Sequence, residues 1–123
     1  MAKFVLGFGR SRRILRNEEF RKLYKTGKRL NLPVLTMIYK INDSGLDPKP
    51  PRLGLSVSRK VGKANQRNII KRHLREIFRL NQLKMDKSSE IVLIPRKEVL
   101  ELDYFELETM VLKLFMRAKL INE

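Results

Sequence analysis

The chain has 123 residues, with 28 Lys and Arg against 13 Asp and Glu, which gives a formal net charge of +15. The length fits one domain, residues 1–123, and a hydrophobic content of 42% supports a buried core, which excludes a wholly disordered chain. The absence of cysteine and the single histidine exclude disulfides, thiolate nucleophiles and paired-histidine metal sites. No apolar run approaches the ~20 residues that cross a bilayer. So large a positive charge indicates a polyanionic partner, with nucleic acid favoured over an anionic membrane surface.

The positive charge lies in two blocks of the sequence. Residues 1–29 carry ten basic and two acidic residues, and residues 52–79 carry nine basic residues and one acidic residue. The segments between and after these blocks are close to neutral. Because charge that only maintains solubility is expected to spread along the chain and to mix signs, two separate blocks favour binding surfaces over a solvated coat.

The first predicted elements are a basic arm and a short helix. Residues 1–16 mix arginines with a short apolar piece that lies on the wrong side of the charges for a secretory signal. We interpret this segment as a basic N-terminal arm, with an Arg-rich transit peptide as the alternative. Asn17 is a good N-cap and Gly27 suits the C-cap position, which predicts a helix at about 18–26.

Two strands are predicted next. The apolar and β-branched residues of 32–41 predict a strand, and Pro33 near its start favours an edge strand or a bulge. Residues 42–51 have the composition of a loop. In the strand predicted at 52–59, apolar residues alternate with Gly54, Ser56 and Ser58. One face of this strand would therefore pack on the core, and the other would let a ligand approach the sheet closely.

The remaining elements are a helix at about 63–80, an apolar strand at 89–94 and a helix at about 104–119 that is capped by Asp103. The strands on either side of the long helix are candidates for a parallel pair, whose crossover is right-handed on general grounds. The order α-β-β-α-β-α predicts an α+β fold, in which three helices pack in two layers on a mixed sheet of about four strands.

The long helix carries the strongest functional signal. At 3.6 residues per turn, its basic and amide side chains fall on one arc of about 140°, and its apolar side chains, Ile69 among them, fall on the opposite side. The arc holds Arg67, Asn68, Lys71, Arg72, Arg75 and Arg79. Only Glu76 is available to relieve their mutual repulsion. Because arginine forks suit phosphate oxygens and base edges, and because the apolar side is needed to cover the sheet, this pattern favours nucleic acid over a membrane.

Three aromatic residues add a second signal. Phe20 and Tyr24 lie one turn apart among basic residues, and Tyr39 lies on the neighbouring strand. Unpaired bases stack on such rings. Core packing is an equal alternative for Phe20, whereas Tyr24 and Tyr39 are predicted to be exposed or to lie in a cleft, because a buried hydroxyl needs a partner. His73 falls within the apolar arc and is predicted to be a partly buried packing residue. We find no catalytic signature and predict no catalytic residue and no metal site in the protein.

One stretch of the sequence resembles a known family. The pattern runs Leu53-Gly54-Leu55-Ser56-Val57-Ser58-Arg59-Lys60-Val61-Gly62-Lys63-Ala64 and continues with Arg67-Asn68, Lys71-Arg72 and Arg75-Glu76. It resembles the signature of the bacterial ribonuclease P protein component. Residues 17–28 look like the first helix and turn of that family, and residues 91–97 look like its last strand. The chain departs from the family at Asn65, where valine is usual, and at Ile69, where a basic residue is usual.

The resemblance implies a role in a ribonucleoprotein endonuclease. The protein would assemble in the cytoplasm with a large catalytic RNA, which uses Mg²⁺, bound mainly by the RNA, to remove the 5′ leader of precursor tRNA. The protein would hold the leader in a cleft between its sheet and first helix. The resemblance also implies a left-handed strand–helix–strand crossover, against the general rule.

The resemblance assigns residues by position to two surfaces. The catalytic-RNA surface comprises Arg67, Asn68, Lys71, Arg72 and Arg75. The leader surface comprises Phe20, Tyr24, Tyr39, Ser56, Ser58, Arg59 and Lys60. The alternatives are a ribosomal or general RNA-binding protein without a role in cleavage, and a membrane-surface or partner-docking module.

Overall fold

The structure is a computed structural model, and it describes residues 17–42, 50–85 and 88–121. The predicted arm at 1–16 and most of the predicted loop at 42–51 lie outside the described residues. The helices are α1 (Asn17–Thr26), α2 (Ala64–Asn81) and α3 (Tyr104–Arg117), and the strands are β1 (Lys28–Asn31), β2 (Leu35–Ile41), β3 (Arg52–Leu55) and β4 (Ser89–Pro95). Short 3₁₀ turns occupy Arg59–Val61, Gln82–Lys84 and Lys97–Glu101.

The four strands form one mixed sheet with the order β1-β2-β4-β3. β2 pairs antiparallel with both β1 and β4, and β3 pairs in parallel with β4. The parallel arrangement of the two strands that flank α2 is therefore confirmed, as is the α+β class. The left-handed crossover stays a prediction from the family resemblance.

The strand at the sheet edge differs from the sequence prediction. β1, which the pattern along the chain did not reveal, is an edge strand, and the chain turns through residues 32–34 into β2. The strand predicted at 32–41 begins only at Leu35, after Pro33, and it lies in the interior of the sheet. The prediction of an edge or a bulge from Pro33 is wrong, because this proline belongs to the turn and removes no hydrogen bond from the strand.

The core is divided between the two faces of the sheet. Alternate residues of β2 and β4, such as Met37 and Leu93, join the buried residues of α2 and α3 in the main cluster. The intervening residues Ile38 and Val92 join Leu23 of α1 in a smaller cluster. The two-layer prediction therefore describes the larger core, and α1 adds a partial cover on the second face of the sheet.

Local contacts fix the ends of two helices. At the start of α3, the Glu106 amide donates to Asp103 Oδ1 (2.8 Å) and the Asp103 amide donates to Glu106 Oε1 (3.0 Å), so the predicted cap is a capping box. At the end of α1, a Cβ added to Gly27 would lie 2.7 Å from the Leu23 carbonyl oxygen and 2.9 Å from Ile38. Glycine is thus required where the end of α1 approaches β2.

Candidate nucleic-acid interface

The first candidate surface is the side of α2 that faces away from the sheet. Ile70, Leu74 and Ile77 bury the opposite side of the helix in the main core. This packing leaves Asn68, Arg72 and Arg75 exposed to solvent. No acidic residue lies in the first turn of α2. The amphipathic pattern therefore produces the predicted cationic face.

Three of the predicted residues line a common cavity. It has a volume of about 630 Å³ and lies between α2 and the start of α3. Its lining comprises Asn68, Arg72, His73, Arg75, Glu76, Arg79 and Tyr104. Arg67 and Lys71 are half-buried and are not part of this lining. The structure thus brings together Asn68, Arg72 and Arg75, and it leaves the other two predicted residues at the margin of the face.

One carboxylate moderates the charge of this surface. Glu76 accepts from Arg79 through both oxygens, with Arg79 Nη2 2.8 Å from Glu76 Oε2. The hydrogen bond from Arg79 holds the pKa of Glu76 below its usual value. The pair is therefore ionised at neutral pH, and its contribution is lost only as the pH falls through the lowered pKa. Arg79, which the helical pattern placed on the basic arc, is thus partly neutralised.

His73 is half-buried and packs against a ring, which agrees with its prediction as a partly buried packing residue. Its imidazole meets the Tyr104 ring edge to face, with centroids 5.1 Å apart. Burial raises the pKa of Tyr104, and the nearby carboxylates of Glu108 and Glu76 raise it further. The phenol therefore stays protonated at neutral pH and is a hydrogen-bond donor.

Ile69, which the pattern placed on the apolar side, is instead 47% exposed, and that expectation is wrong.

The second candidate surface lies on the other face of the sheet, next to α1. Within α1, Leu23 is buried, and around the helix Glu19 and Phe20 lie on either side of it, about 40° and 60° away. Glu19 accepts from Arg52 of β3 through both carboxylate oxygens, with Arg52 Nη2 3.0 Å from Oε1. Arg52 Nη1 also lies 3.4 Å from Glu90 Oε2 on β4. This ion-pair network fixes one side of α1 to the sheet.

A groove lies beyond the other side of α1, at the carboxyl ends of β3 and β4. Phe20 and Ile94 both pack against the small cluster around Leu23. A cavity of about 380 Å³ continues from Ile94 and includes Ser58 and Lys60. The rest of its lining is Val61, Pro95, Arg96, Lys97 and Glu98. Ile94 therefore links the cluster against which Phe20 packs to the cavity that includes Ser58 and Lys60, and a common site for these three residues stays a prediction.

The other predicted leader residues have different positions. Tyr24 is 42% exposed, one turn after Phe20. Ser56 is half-buried and its amide donates to the Leu93 carbonyl, and Arg59 is exposed on the 3₁₀ turn. Tyr39 is only 8% exposed and packs in the main core, on the opposite face of the sheet. The prediction that Tyr39 is exposed is wrong, because β2 is an interior strand whose odd-numbered side chains point toward α2 and α3.

Arg96 is a groove residue that the sequence interpretation missed. Its Nη2 donates to Thr36 Oγ1 (3.1 Å), and the Thr36 hydroxyl donates to Asn31 Oδ1 (2.8 Å). These hydrogen bonds connect Arg96, which directly follows β4, to Thr36 of β2 and through it to Asn31 of β1. The available signal was the period of two along β4, which puts residue 96 on the same face as Val92 and Ile94.

Two further observations limit the chemistry. Across residues 17–42, 50–85 and 88–121, no group of three or more His, Asp or Glu side chains is arranged to hold a metal ion. Within the same ranges, no helix has the length and apolar character of a membrane span. The described surfaces offer cations, rings and hydroxyl groups, which suit binding to RNA.

Comparison with known proteins agrees with this chemistry. A family model described as Ribonuclease P matches residues 8–119. The chain is 36% identical over 110 residues to the ribonuclease P protein component of Alkaliphilus oremlandii, covering 89% of this chain and 93% of that one. It is 38% identical over 116 residues to the Thermotoga maritima protein of the same name, covering 91% and 96%.

Solved structures give the same result. The fold matches the Staphylococcus aureus RNase P protein with a TM-score of 0.82 at 27% identity, over 92% of this chain and 100% of that one. It matches the Thermotoga maritima RNase P protein with a TM-score of 0.72 at 38% identity, over 84% and 94%. Both candidate surfaces lie within the residues 8–119 that the family model matches.

Proposed function

Because the chain belongs to the ribonuclease P protein family, we propose that it binds the catalytic RNA with α2 and the 5′ leader of precursor tRNA with the groove beside α1. In this proposal the RNA subunit performs the endonucleolytic cleavage, and the protein assists it by positioning both RNAs. Family membership itself means that the chain is the protein component of a tRNA-processing endoribonuclease, with ribonuclease P RNA as its partner.

One observation supports the assignment of the catalytic RNA and the leader to two different surfaces of the protein. The cationic side of α2 and the groove beside α1 lie on opposite faces of a single sheet, because α2 packs on the main core and α1 packs on the smaller cluster. A protein with one RNA surface would need only one of these faces. Two faces allow a large RNA and a single strand to bind at the same time without competing for the same side chains.

The α2 face suits a structured RNA. Asn68, Arg72 and Arg75 project from one rigid helix, whose apolar side is fixed by the core. Such a row contacts phosphates along a backbone, and each contact releases counterions, so the affinity falls steeply with salt. Arg67 and Lys71 complete the surface at its margin.

The groove suits a single strand. Phe20 and the exposed ring of Tyr24 offer stacking surfaces, whereas Ser56 and Ser58 are small enough to admit a backbone. Lys60 and Arg96 supply cations within the same cavity, and Arg59 projects from the adjacent turn. A leader would therefore stack on α1 while its phosphates face the end of the sheet.

In this proposal the Mg²⁺ of the reaction is bound mainly by the RNA, as the family resemblance implies, and no protein side chain is assigned to it. In the proposed complex the protein supplies positive charge that lowers repulsion between the two RNAs.

Reconstitution tests the proposal. The full chain is mixed with ribonuclease P RNA at low Mg²⁺, and leader removal from precursor tRNA is followed. We expect a large gain in cleavage over the RNA alone. Binding without any gain would contradict the proposal and favour a general RNA-binding protein.

Two variants test the α2 face and the groove independently of each other. Arg72→Ala should weaken binding to the catalytic RNA and lower the salt slope by about one phosphate contact. Tyr24→Ala should weaken binding of precursor tRNA to the holoenzyme about tenfold, within the range for a lost base stack, and leave mature tRNA unaffected. Equal losses for precursor and mature tRNA with Tyr24→Ala would refute the leader assignment.

A further inference from the structure

Three aromatic rings meet where α2 faces the first turn of α3. The Tyr104 ring contacts His73 edge to face, and the Phe105 ring contacts Tyr104 edge to face, with centroids 5.6 Å apart. We call these three residues the aromatic corner. Phe105, the outermost ring, is 73% exposed.

The fold does not need the Phe105 ring. The core residues of α3 are Leu107, Val111, Leu114 and Phe115, and position 105 lies on the outside of the helix. Single exposed apolar side chains are common, but this ring also makes an edge-to-face contact with a second aromatic ring. Ile69, which is also exposed, lies one turn before His73 on α2.

Two members of the aromatic corner share a cavity with three arginines, and the carboxylate of Glu108 also lies near Tyr104. Tyr104 and His73 line the cavity of about 630 Å³ together with Arg72, Arg75 and Arg79. The one carboxylate of that lining, Glu76, is paired with Arg79. The volume falls within the ~300–1,000 Å³ of pockets that hold small ligands, and it is therefore large enough for one nucleotide. Phe105 is not part of the lining, and it adjoins the cavity through its contact with Tyr104.

We propose that the aromatic corner binds one unpaired nucleotide of ribonuclease P RNA, with the base stacked on Phe105 and the phosphate facing Arg72 and Arg75. This inference rests on the proposed binding of that RNA by α2. Exposed rings next to a cavity lined by cations are the kind of arrangement that binds single-stranded nucleotides. The leader is excluded as the occupant, because its groove lies on the opposite face of the sheet.

Charge also argues against a second copy of this chain as the occupant. Each copy carries +15, and the corner would bring two arginine-rich faces together. Like charges in close contact oppose such an association. An RNA nucleotide offers a base that stacks on the ring and a phosphate that contacts the cations, whereas a second copy of the chain could only pack on the ring.

Affinity for ribonuclease P RNA, measured with the full chain over a series of salt concentrations, is the first test. Phe105→Ala should weaken binding about tenfold, within the range that alanine substitution of a stacking ring gives. The salt slope should not change, because no charge is removed. The matched control is Leu83→Ala, which removes an apolar side chain that is 50% exposed and lies in the 3₁₀ turn Gln82–Lys84, outside both the aromatic corner and the cavity lining. We expect that control to bind normally.

A fluorescence measurement reports stacking directly. The chain has no tryptophan, so Phe105→Trp introduces a single reporter at the corner. We expect this variant to bind ribonuclease P RNA as well as the unmodified chain does and its emission to be quenched on binding. A tryptophan placed by Leu83→Trp should show little quenching.

The possible failures are distinguishable. If Arg72→Ala weakens binding but Phe105→Ala does not, and RNA leaves the emission of the Phe105→Trp variant unchanged, the nucleotide site is refuted and the proposed function stands. If neither alanine variant affects binding, the α2 assignment itself fails. Sedimentation that shows a dimer of the free protein, abolished by Phe105→Ala, would assign the corner to self-association and overturn the proposal.

Discussion

The ion-pair network of Glu19, Arg52 and Glu90 gives the sharpest prediction about how α1 is positioned. α1 buries only Leu23 in the sheet, with Phe20 partly buried beside it, so its apolar attachment is small. Arg52 adds a two-pronged contact to Glu19 and a weaker contact to Glu90. Removing this network should therefore loosen α1 without unfolding the domain.

The expected magnitude follows from geometry and exposure. Exposed ion pairs contribute ~0.2–1 kcal/mol, and breaking a buried pair costs ~3–5 kcal/mol. The side chains of Arg52 and Glu19 are 28% and 26% exposed, which is an intermediate case. Because Arg52 contacts both carboxylate oxygens of Glu19, we expect the coupling energy of this pair to lie near the upper limit for exposed pairs, at about 1 kcal/mol. Arg52→Gln should cost more than this coupling, because it leaves two carboxylates close together without their shared cation.

A double-mutant cycle measures this coupling. The unmodified chain is compared with Glu19→Gln, Arg52→Gln and the double variant by denaturant unfolding, and Arg29→Gln, which alters an exposed arginine of β1, is the control. In the holoenzyme, Arg52→Gln should reduce the preference for precursor over mature tRNA and leave binding of the catalytic RNA intact. A coupling energy below about 0.3 kcal/mol, together with an unchanged preference, would refute the reasoning.

Three further predictions concern single residues. Gly27→Ala should lower the free energy of unfolding by ~1–3 kcal/mol in a denaturant titration, because its Cβ would lie 2.7 Å from the Leu23 carbonyl oxygen; full stability would contradict this close approach. Asp103→Ala should cost about 1 kcal/mol by the same measurement, because α3 loses its capping box. Glu76→Gln should strengthen RNA binding and steepen the salt slope by about one contact, since it removes the anion paired with Arg79, and a weaker complex would count against the α2 assignment.

The elements of this fold could be predicted from sequence wherever a pattern had one meaning. α2 is amphipathic over five turns, and its observed bounds differ from the predicted ones by one residue at each end. β1 is short and mostly exposed, with no alternation of apolar residues, so only its pairing with β2 reveals it. A short edge strand has no local signal of its own, because its stability comes from the neighbouring strand.

Tyr39 shows why the register of a strand is harder to predict. Five consecutive residues of β2 are buried, so the strand is covered on both faces and its sequence does not distinguish them. A period-two argument needs one exposed face, and a shift of one residue moves every side chain to the other side.

The groove residue Arg96 was missed for a related reason. Pro95 predicts the end of the strand, whereas the alternation that places Ile94 on the groove face continues to residue 96.

The connection between β3 and α2 relates the two candidate surfaces. β3 leads through Ser56 and Ser58, on the groove side, into the 3₁₀ turn Arg59–Val61 and then into α2 on the opposite face. Val61 is fully packed in the main core, which anchors the turn. The groove and the cationic helix are therefore separated by only a few residues of fixed chain. In the proposed complex this short connection would hold the leader at a constant distance from the catalytic RNA, so that recognition of the leader would align the substrate for cleavage without any catalytic side chain from the protein.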